Sequence, residues 1–256
     1  MKKRYYILAA ITSYVFFTLG NIPAAKIIAL AEDNVKMPAR LYGIEGSVWN
    51  GSAKKVLIQN QPPIDNLQWS INPFSLFMAR IGGELKANIK QQSVIGNLNI
   101  NALGTISASD IRARIDAEIM QEILQIPLGE LGGVFNINIE SLEASPEGLP
   151  RINALIKWKN ASLTLADTVD LGHVDLSIES DSNNQLVAII NNKQGQLNID
   201  GKAIIDAQKV YSLELKLTPE HNAPDNIKQS LGMLARRQTD GSYQIKRKGN
   251  LRELGI

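Results

Sequence analysis

The chain has 256 residues, enough for one large domain or two small ones, and its hydrophobic content of 44% is that of a folded globular protein. It contains no cysteine, which excludes disulfides, thiolate zinc sites and cysteine nucleophiles. The net charge of +2 depends on Lys2, Lys3 and Arg4, and the rest of the chain carries 24 basic and 25 acidic residues, which argues against nucleic-acid binding.

The first predicted element is an N-terminal membrane span. A basic tail, residues 1–4, precedes an uncharged run from Tyr5 to Ala25. Its 21 residues would extend about 31 Å as a helix, close to the roughly 30 Å hydrocarbon thickness of a bilayer. By the positive-inside rule, the tail stays in the cytoplasm of a bacterium, the helix crosses its inner membrane, and the body lies in the periplasm.

A cleaved signal peptide is the main alternative for this segment. Ala29-Leu30-Ala31 fits a small-x-small cleavage site, but it lies about ten residues beyond the apolar core and after Lys26. A buried core helix is a further alternative, although 21 uncharged residues beside a basic cluster are untypical of one. We therefore expect an uncleaved anchor, followed by a linker over residues 26–40.

Residues 41–256 are predicted to form one periplasmic β-rich domain. Apolar and polar side chains alternate with period two, which indicates strands with one buried face and one wet face. Strands of this kind belong to antiparallel sheets, because buried parallel strands have continuous apolar runs. The clearest examples are residues 84–89, 111–117, 135–140, 174–179 and 213–217.

Two short segments have the apolar spacing of helices instead. The first is residues 119–124, which stop before Pro127, and the second is residues 227–234, which Asp225 is placed to cap. The predicted fold class is therefore mainly β: one N-terminal transmembrane helix, then a curved, largely antiparallel sheet with a few short helices.

The body also shows signs of an internal duplication, with copies over about residues 41–131 and 132–256. LQWS at Leu67–Ser70 matches IKWK at Ile156–Lys159, and two further pairs of stretches match in the same order. The offsets are 89, 89 and 99 residues, which predicts a longer hairpin in the second copy. The alternative is that short alternating strands resemble each other by chance.

Three stretches pair a glycine with a strand that carries an aromatic residue. They are GSVWNG from Gly46, GGVFNI from Gly132 and GSYQIK from Gly241. Glycine lets the backbone bend or approach another strand closely, and the aromatic ring then fills the apolar face. We predict that the stretches occupy equivalent places and that a strand near Tyr243 closes the sheet.

Several of these stretches together resemble the protein N family of the bacterial type II secretion system. They are MPARLYGIEGSVWNGSAKKV, LQWSINPFSLFMARIGGEL, IPLGELGGVFNINI, IKWKNASLTLADTVDLGHVDLSI and TDGSYQIKRKG, and they span nearly the whole chain. The most specific parts are G-x-x-G-S-V-W-x-G and the downstream W-x-x-x-P-x-x-L. The residues for which the resemblance implies structural roles are Gly43, Gly46, Ser47, Val48, Trp49, Gly51, Trp69, Pro73, Leu76, Gly132, Trp158 and Gly172.

The resemblance implies a single-span inner-membrane protein whose periplasmic body assists the export of folded proteins across the outer membrane. It brings no catalytic residues. The implied partners are other inner-membrane or pseudopilus components of the secretion system, together with the membrane itself. A looser similarity to the AsmA-like group implies a curved sheet whose groove accommodates phospholipid.

The sequence carries no motif for catalysis, cofactors or metals. His173 and His221 lie far apart and lack the spacing of metal ligands. The pairs Gly82–Gly83 and Gly132–Gly133 lack the lysine of a phosphate loop, and no G-x-S-x-G elbow occurs. We therefore expect a protein that is not an enzyme.

Two functions of different classes are open at this point. In the first, the body is an interaction protein whose exposed strand edges recruit other components by strand addition. In the second, it is a lipid-binding or lipid-relaying module. The two differ in whether protein fills the apolar face or leaves a groove along it, and the diagnostic residues are Leu85, Leu98, Ile115, Leu176 and Leu197.

Overall fold

The described part of the chain forms two compact units, Met1–Gln91 and Gln92–Ile256. The computed structural model describes residues 6, 13–14, 17–18, 20–34, 38–126, 129–146, 148–164, 167–221, 223 and 225–251.

From residue 24 onward, the described part of the first unit contains a helix, four antiparallel strands and a 3-10 helix. The elements are α1 Ala24–Asn34, β1 Ala39–Gly46, β2 Asn50–Ile58, β3 Ile64–Ile71, the 3-10 helix Pro73–Met78 and β4 Arg80–Ile89. Each of β2, β3 and β4 pairs with the strand before it. Ala53 and Val56 of β2 are buried. They are three residues apart and so lie on opposite faces of the strand.

The described residues of the second unit form ten strands and two helices. Its elements are β5 Gln92–Asn101, β6 Ile106–Asp116, α2 Ala117–Leu124, β7 Glu130–Ala144, β8 Arg151–Thr164, β9 Thr168–Ser180, β10 Leu186–Lys193, β11 Leu197–Ile205, β12 Val210–Pro219, α3 Asp225–Leu234, β13 Arg236–Arg237 and β14 Tyr243–Asn250. The strands pair antiparallel in chain order from β5 to β12, and β14 then pairs with both β12 and β13.

Helices cover part of the apolar face in this second unit. Ile227 and Leu231, one turn apart on α3, are buried against the strands. Their cluster also contains Ala161, Leu171, Val174, Leu197, Leu217 and Tyr243. Ile119 and Met120 of α2 are buried as well.

The prediction of a mainly β fold with antiparallel pairing is confirmed. The five alternating runs all lie within strands, except that Ala117 begins α2 instead of ending β6. The two predicted short helices are α2 and α3. The alternation of apolar and polar residues predicted these strands correctly because one face of such a strand is more buried than the other.

The predicted membrane span lies mostly outside the described residues, and Tyr5 is among those not described. Tyr6, Tyr14 and Phe17 are described, have helical backbone and are more than 70% exposed. Among the residues that the structure describes, no helix combines the length and the apolar character needed to cross a bilayer. The transmembrane helix therefore stays a prediction. Its expected end, Ala25, lies in α1.

The internal duplication also stays a prediction. The matched tryptophans Trp69 and Trp158 lie in β3 and β8, and the second match joins β4 to β9. The third match joins β5 to β11, so β10 is the additional strand that accounts for the larger offset.

Candidate functional site

The candidate site is built around the turn of the first hairpin, Ser47 to Trp49, which follows β1. Gly46 precedes it with φ +83°, a conformation that favours glycine. The backbone N–H of Ser47 donates to the carbonyl oxygen of Asn50 at 2.8 Å, and the Asn50 N–H donates to Ser47 Oγ at 3.1 Å. Gly46, Ser47 and Asn50 therefore close the turn by local hydrogen bonds.

Trp69 of β3 fixes this turn from the neighbouring strands. Its cross-strand partner on β2 is Gly51, and a Cβ atom at Gly51 would collide with the indole ring. The indole Nε1–H donates to the carbonyl oxygen of Val48 at 3.0 Å. The Ile71 N–H donates to the carbonyl oxygen of Trp49 at 2.6 Å. The glycine at position 51 is thus needed for the close approach of the ring.

The turn also binds the chain that leaves the predicted membrane span. The Val48 N–H donates to the carbonyl oxygen of Ile22 at 3.0 Å, and Pro23 forms an antiparallel bridge with Ser47. Ala24, the first residue of α1, is 1% exposed. We call Ile22–Ala24, Ser47–Trp49 and Trp69 the anchor junction.

An open apolar cavity of about 300 Å³ lies beside the anchor junction. It is lined by Ala24, Ile27, Ile28, Leu41, Val48, Trp69, Ile71 and Leu85. All of these side chains are apolar apart from the indole N–H of Trp69, which is bound to Val48. The cavity could therefore hold a hydrocarbon group but offers nothing to orient a polar one.

The 3-10 helix between β3 and β4 is held at both ends. Asn72 Oδ1 accepts from the Phe74 N–H at 3.0 Å, and Pro73 occupies the first turn, where a missing N–H costs nothing. The Ser75 hydroxyl donates to the carbonyl oxygen of Asn72 at 2.6 Å. Ala79 ends the helix in the left-handed region, with φ 52°.

This small helix presents large apolar side chains to solvent. We call them the apolar knob: Phe74, Leu76, Phe77 and Met78, which are 65%, 48%, 88% and 67% exposed. The rings of Phe74 and Phe77 stack with centroids 6.4 Å apart. The knob follows the anchor junction directly, because Ile71, which ends β3, is hydrogen-bonded to Trp49.

The second unit repeats the tryptophan arrangement. Trp158 of β8 stacks on its cross-strand partner Phe135, with centroids 4.8 Å apart, and its Nε1–H donates to the carbonyl oxygen of Gly132 at 2.8 Å. Gly133, with φ +96°, follows at once. The sequence match aligned Gly132 with Gly46, but the hydrogen bonds make Gly132 the counterpart of Val48.

A buried asparagine organises a separate part of the second unit. Asn192 in β10 is 7% exposed, and its amide nitrogen donates to the carbonyl oxygens of Leu171 and Leu197, each at 2.7 Å. Its Oδ1 accepts from the Ile199 N–H at 2.6 Å. The neighbouring Gly172 has φ +69°, and the Lys193 carbonyl occupies the space that its Cβ would need.

The motif residues therefore occupy several places within the two units. Gly46, Ser47, Val48, Trp49, Gly51 and Trp69 meet in the first unit, with Pro73 and Leu76 in the loop that follows. Gly132 and Trp158 meet in the second unit, and Gly172 lies near Asn192. Gly43, with φ +65°, lies in β1 against the side chain of Lys54.

The described residues hold no group of three or more histidine, cysteine, aspartate or glutamate side chains that could bind a metal. His173 Nδ1 accepts a long hydrogen bond from the Asn160 N–H, at 3.4 Å. The two histidines thus offer no arrangement for acid–base chemistry in this part of the chain.

Comparisons with known proteins identify relatives. The family model described as "Type II secretion system (T2SS), protein N" matches residues 38–246. A curated protein from Aeromonas hydrophila, "Type II secretion system protein N", is 21% identical over 262 residues, covering 98% of this chain and 100% of that protein. No solved structure matches the chain.

Proposed function

The chain belongs to the type II secretion system protein N family, and we propose that it is an inner-membrane-anchored accessory component of that system which works through protein contacts. Residues 5–25 form the anchor, and the β body lies in the periplasm. The observation that carries the proposal is the family match over residues 38–246, which contains the turn of the anchor junction and nearly all described strands. Members of this family are accessory components of secretion, and the family is not a known enzyme family.

The exposed N-terminal residues support the anchor. Tyr6, Tyr14 and Phe17 are helical and highly exposed, which is the state of side chains that lipid would cover. The carbonyl of Ile22 and the buried Ala24 then join the segment to the body at a fixed point. An attachment of this kind suits a protein whose body is held at the membrane surface.

The edge of β1 supports a role in protein contacts. Among the described strands only β2 pairs with β1, so the outer N–H and C=O groups of β1 are available to a strand from a partner. Tyr42, in the middle of this strand, is 48% exposed. The expected partners are other inner-membrane or pseudopilus components of the secretion system.

Genetic complementation tests the proposal. In a bacterium that lacks this protein, secreted proteins of the system should accumulate in the periplasm, and the full chain should restore their export. A chain whose residues 1–20 are replaced by a cleavable signal peptide keeps the anchor junction but should restore export poorly, because the body is then free of the membrane. Full export without the protein would contradict the proposed function.

Topology and contact each have a direct measurement. Alkaline phosphatase fused after residue 256 should be active, and an inactive fusion would contradict the periplasmic placement. A photo-crosslinking amino acid at Tyr42 should capture a component of the secretion system in cells. The matched control is the exposed Gln68 of β3, which lies two strands away from the edge and should capture far less.

A lipid-binding function is the second candidate, and the apolar cavity favours it. Of the diagnostic side chains, Ile115 and Leu197 are buried, whereas Leu85, Leu98 and Leu176 are half-buried, and Leu85 lines the cavity. Native mass spectrometry of the full chain in detergent should then detect bound phospholipid. The Ile28→Phe variant, which narrows the cavity, should bind less. Absence of phospholipid from the wild type would end this candidate.

A further inference from the structure

We propose that the apolar knob, Phe74, Leu76, Phe77 and Met78, inserts into the interface of the same bilayer that carries the N-terminal segment. The first unit would then be held at the membrane by two contacts, the anchor and the knob. This inference rests on the proposed membrane anchoring and adds to it a site of lipid contact.

The knob lies next to the place where the predicted span leaves the bilayer. The Ile22 carbonyl is bound by Val48, the Trp49 carbonyl is bound by Ile71, and the 3-10 helix starts two residues later at Pro73. Neighbouring strands are about 4.8 Å apart, so Ile71 is only about 10 Å from Ile22. Since Ile22 belongs to the end of the predicted span, Pro73 starts close enough to that end for the knob to reach the membrane surface.

The composition of the knob fits the membrane interface. Two phenylalanines, a leucine and a methionine are all at least 48% exposed. Aromatic and other large apolar side chains are favoured where the headgroups meet the acyl chains. Contact with lipid would remove this apolar surface from water.

The charge around the knob is also suitable. In the sequence, Arg80 is the only charged residue between Asp65 and Glu84. Its guanidinium lies 3.4 Å from the sulfur of Met78, beside the knob. A cation in this place attracts anionic phospholipid headgroups.

The exposure of the knob does not result from a loosely held loop. Asn72 caps the 3-10 helix at its start, and the N–H of Ala79 donates to the carbonyl oxygen of Leu76 at 3.0 Å at its end. The Asn72 N–H also donates to the carbonyl oxygen of Gly82 at 3.1 Å, which joins the two strand ends below the loop. The fold thus holds the apolar side chains outward, so little order has to be gained on contact with lipid.

Single-cysteine labelling tests the inference, because the chain has no cysteine of its own. The full-length Phe77→Cys variant, labelled with the environment-sensitive dye NBD, is reconstituted into phosphatidylethanolamine–phosphatidylglycerol vesicles that contain doxyl-labelled lipid. We expect the NBD emission to shift to shorter wavelength and to lose most of its intensity to the quencher. Emission like that of the dye in water, without quenching, would overturn the inference.

Gln59→Cys is the matched control. Gln59 is exposed and lies in the β2–β3 connection, at the opposite end of β3 from the knob. The eight residues of β3 span roughly 26 Å, so this label should stay in water and show no quenching. Equal quenching at Gln59 and Phe77 would also overturn the inference, because the vesicle surface would then contact both ends of the unit.

Two further measurements separate the knob from the anchor and from misfolding. Alkaline extraction of the same vesicles tests the anchor. If the chain resists extraction but shows no quenching at Phe77, the anchor is supported and the proposed insertion of the knob is contradicted. If the chain is extracted, both proposals are contradicted. Met78→Cys provides a second label position should Phe77→Cys fold poorly, and Phe74→Ser combined with Met78→Cys should lose most of the quenching. A knob that cross-links to a protein in cells and is unquenched in vesicles would assign it to a protein partner instead.

Discussion

Trp69 and Trp158 each donate the indole N–H to a backbone carbonyl three residues before the residue that faces the ring across the sheet. For Trp69 the acceptor is Val48 and the facing residue is Gly51; for Trp158 they are Gly132 and Phe135. Both rings therefore fix the backbone of the preceding strand at the same distance along the chain. An internal duplication would produce this agreement. The sequence match had paired Gly132 with Gly46, whereas the hydrogen bonds pair Gly132 with Val48.

Trp69→Phe tests whether the indole N–H fixes the turn of the anchor junction. The phenyl ring keeps the apolar contact but leaves the Val48 carbonyl without its donor, so we expect a loss of about 1 kcal/mol in stability. Hydrogen exchange at the backbone N–H groups of Ser47 and Val48 should become faster. Trp158→Phe is the matched control and should leave these two amides unchanged; unchanged exchange in Trp69→Phe would contradict the assigned role.

Gly51→Ala tests the close approach of the Trp69 ring. The added Cβ collides with the indole, so the strand or the ring must shift, and we expect a destabilisation of about 1–3 kcal/mol. Thermal unfolding of the detergent-purified chain provides the measurement. Gly232→Ala in α3 is the control, because its nearest neighbour atom is 4.0 Å away, and it should gain about 0.5–1 kcal/mol. A neutral Gly51→Ala would show that the ring moves freely.

Asn192→Asp tests the buried amide of β10. The carboxylate cannot donate to the Leu171 and Leu197 carbonyls, and it brings a charge to a site that is 7% exposed. We expect a loss of at least ~2 kcal/mol at neutral pH, with a smaller loss in acid, where the carboxyl is protonated. Asn198→Asp places the same charge on an exposed position and should be nearly neutral. Equal stability of the two variants would contradict the role of Asn192.

Asp240 predicts a pH dependence of stability. The Lys216 ammonium, 2.8 Å away, and then the hydroxyl and N–H of Ser242 hold the pKa of Asp240 well below its ordinary value. Because the folded-state pKa is lowered, the stabilisation is present above the ordinary value, about 3.9, and is lost as pH falls below it toward the folded-state pKa. Asp240→Asn should therefore be less stable than wild type at pH 7, and the difference should shrink in acid.

Urea unfolding at a series of pH values measures this difference. Salt should reduce it, since both charged side chains are more than half exposed. Glu214→Gln is the control: it removes another exposed ion pair of β12, with Lys246, that has no hydroxyl donor beside it. We expect it to change stability less than Asp240→Asn does. A difference that grows as the pH falls would contradict the assignment.

The strands could be predicted from the sequence because unequal burial of a strand's two faces leaves a period of two in its side chains. The anchor junction could not, because its main hydrogen bond joins the backbone groups of Ile22 and Val48, which have no side-chain signature. The role of Asn192 could not be predicted for a related reason. Its type is common in turns, and only the surrounding carbonyls show that the amide is buried and used.

The exposure of the knob could not be predicted from the sequence either. The residues of Pro73–Met78 are mainly apolar, and such a composition is compatible both with a buried core segment and with a segment that faces solvent. Asn72 and Pro73 begin the 3-10 helix, Asn72 by capping it and Pro73 by occupying its first turn. Which way such a helix faces depends on the strands that carry it.

The hydrogen bond between Ile22 and Val48 also limits how far the body can reach. On the proposed anchoring, the chain is bound to the hairpin so close to the span that the first unit would have little freedom to move away from the bilayer. A secretion component would have to present its binding surface at this one height above the lipid. Inserting residues at Asn21, between the predicted span and the body, should therefore impair export even though every contact surface is intact.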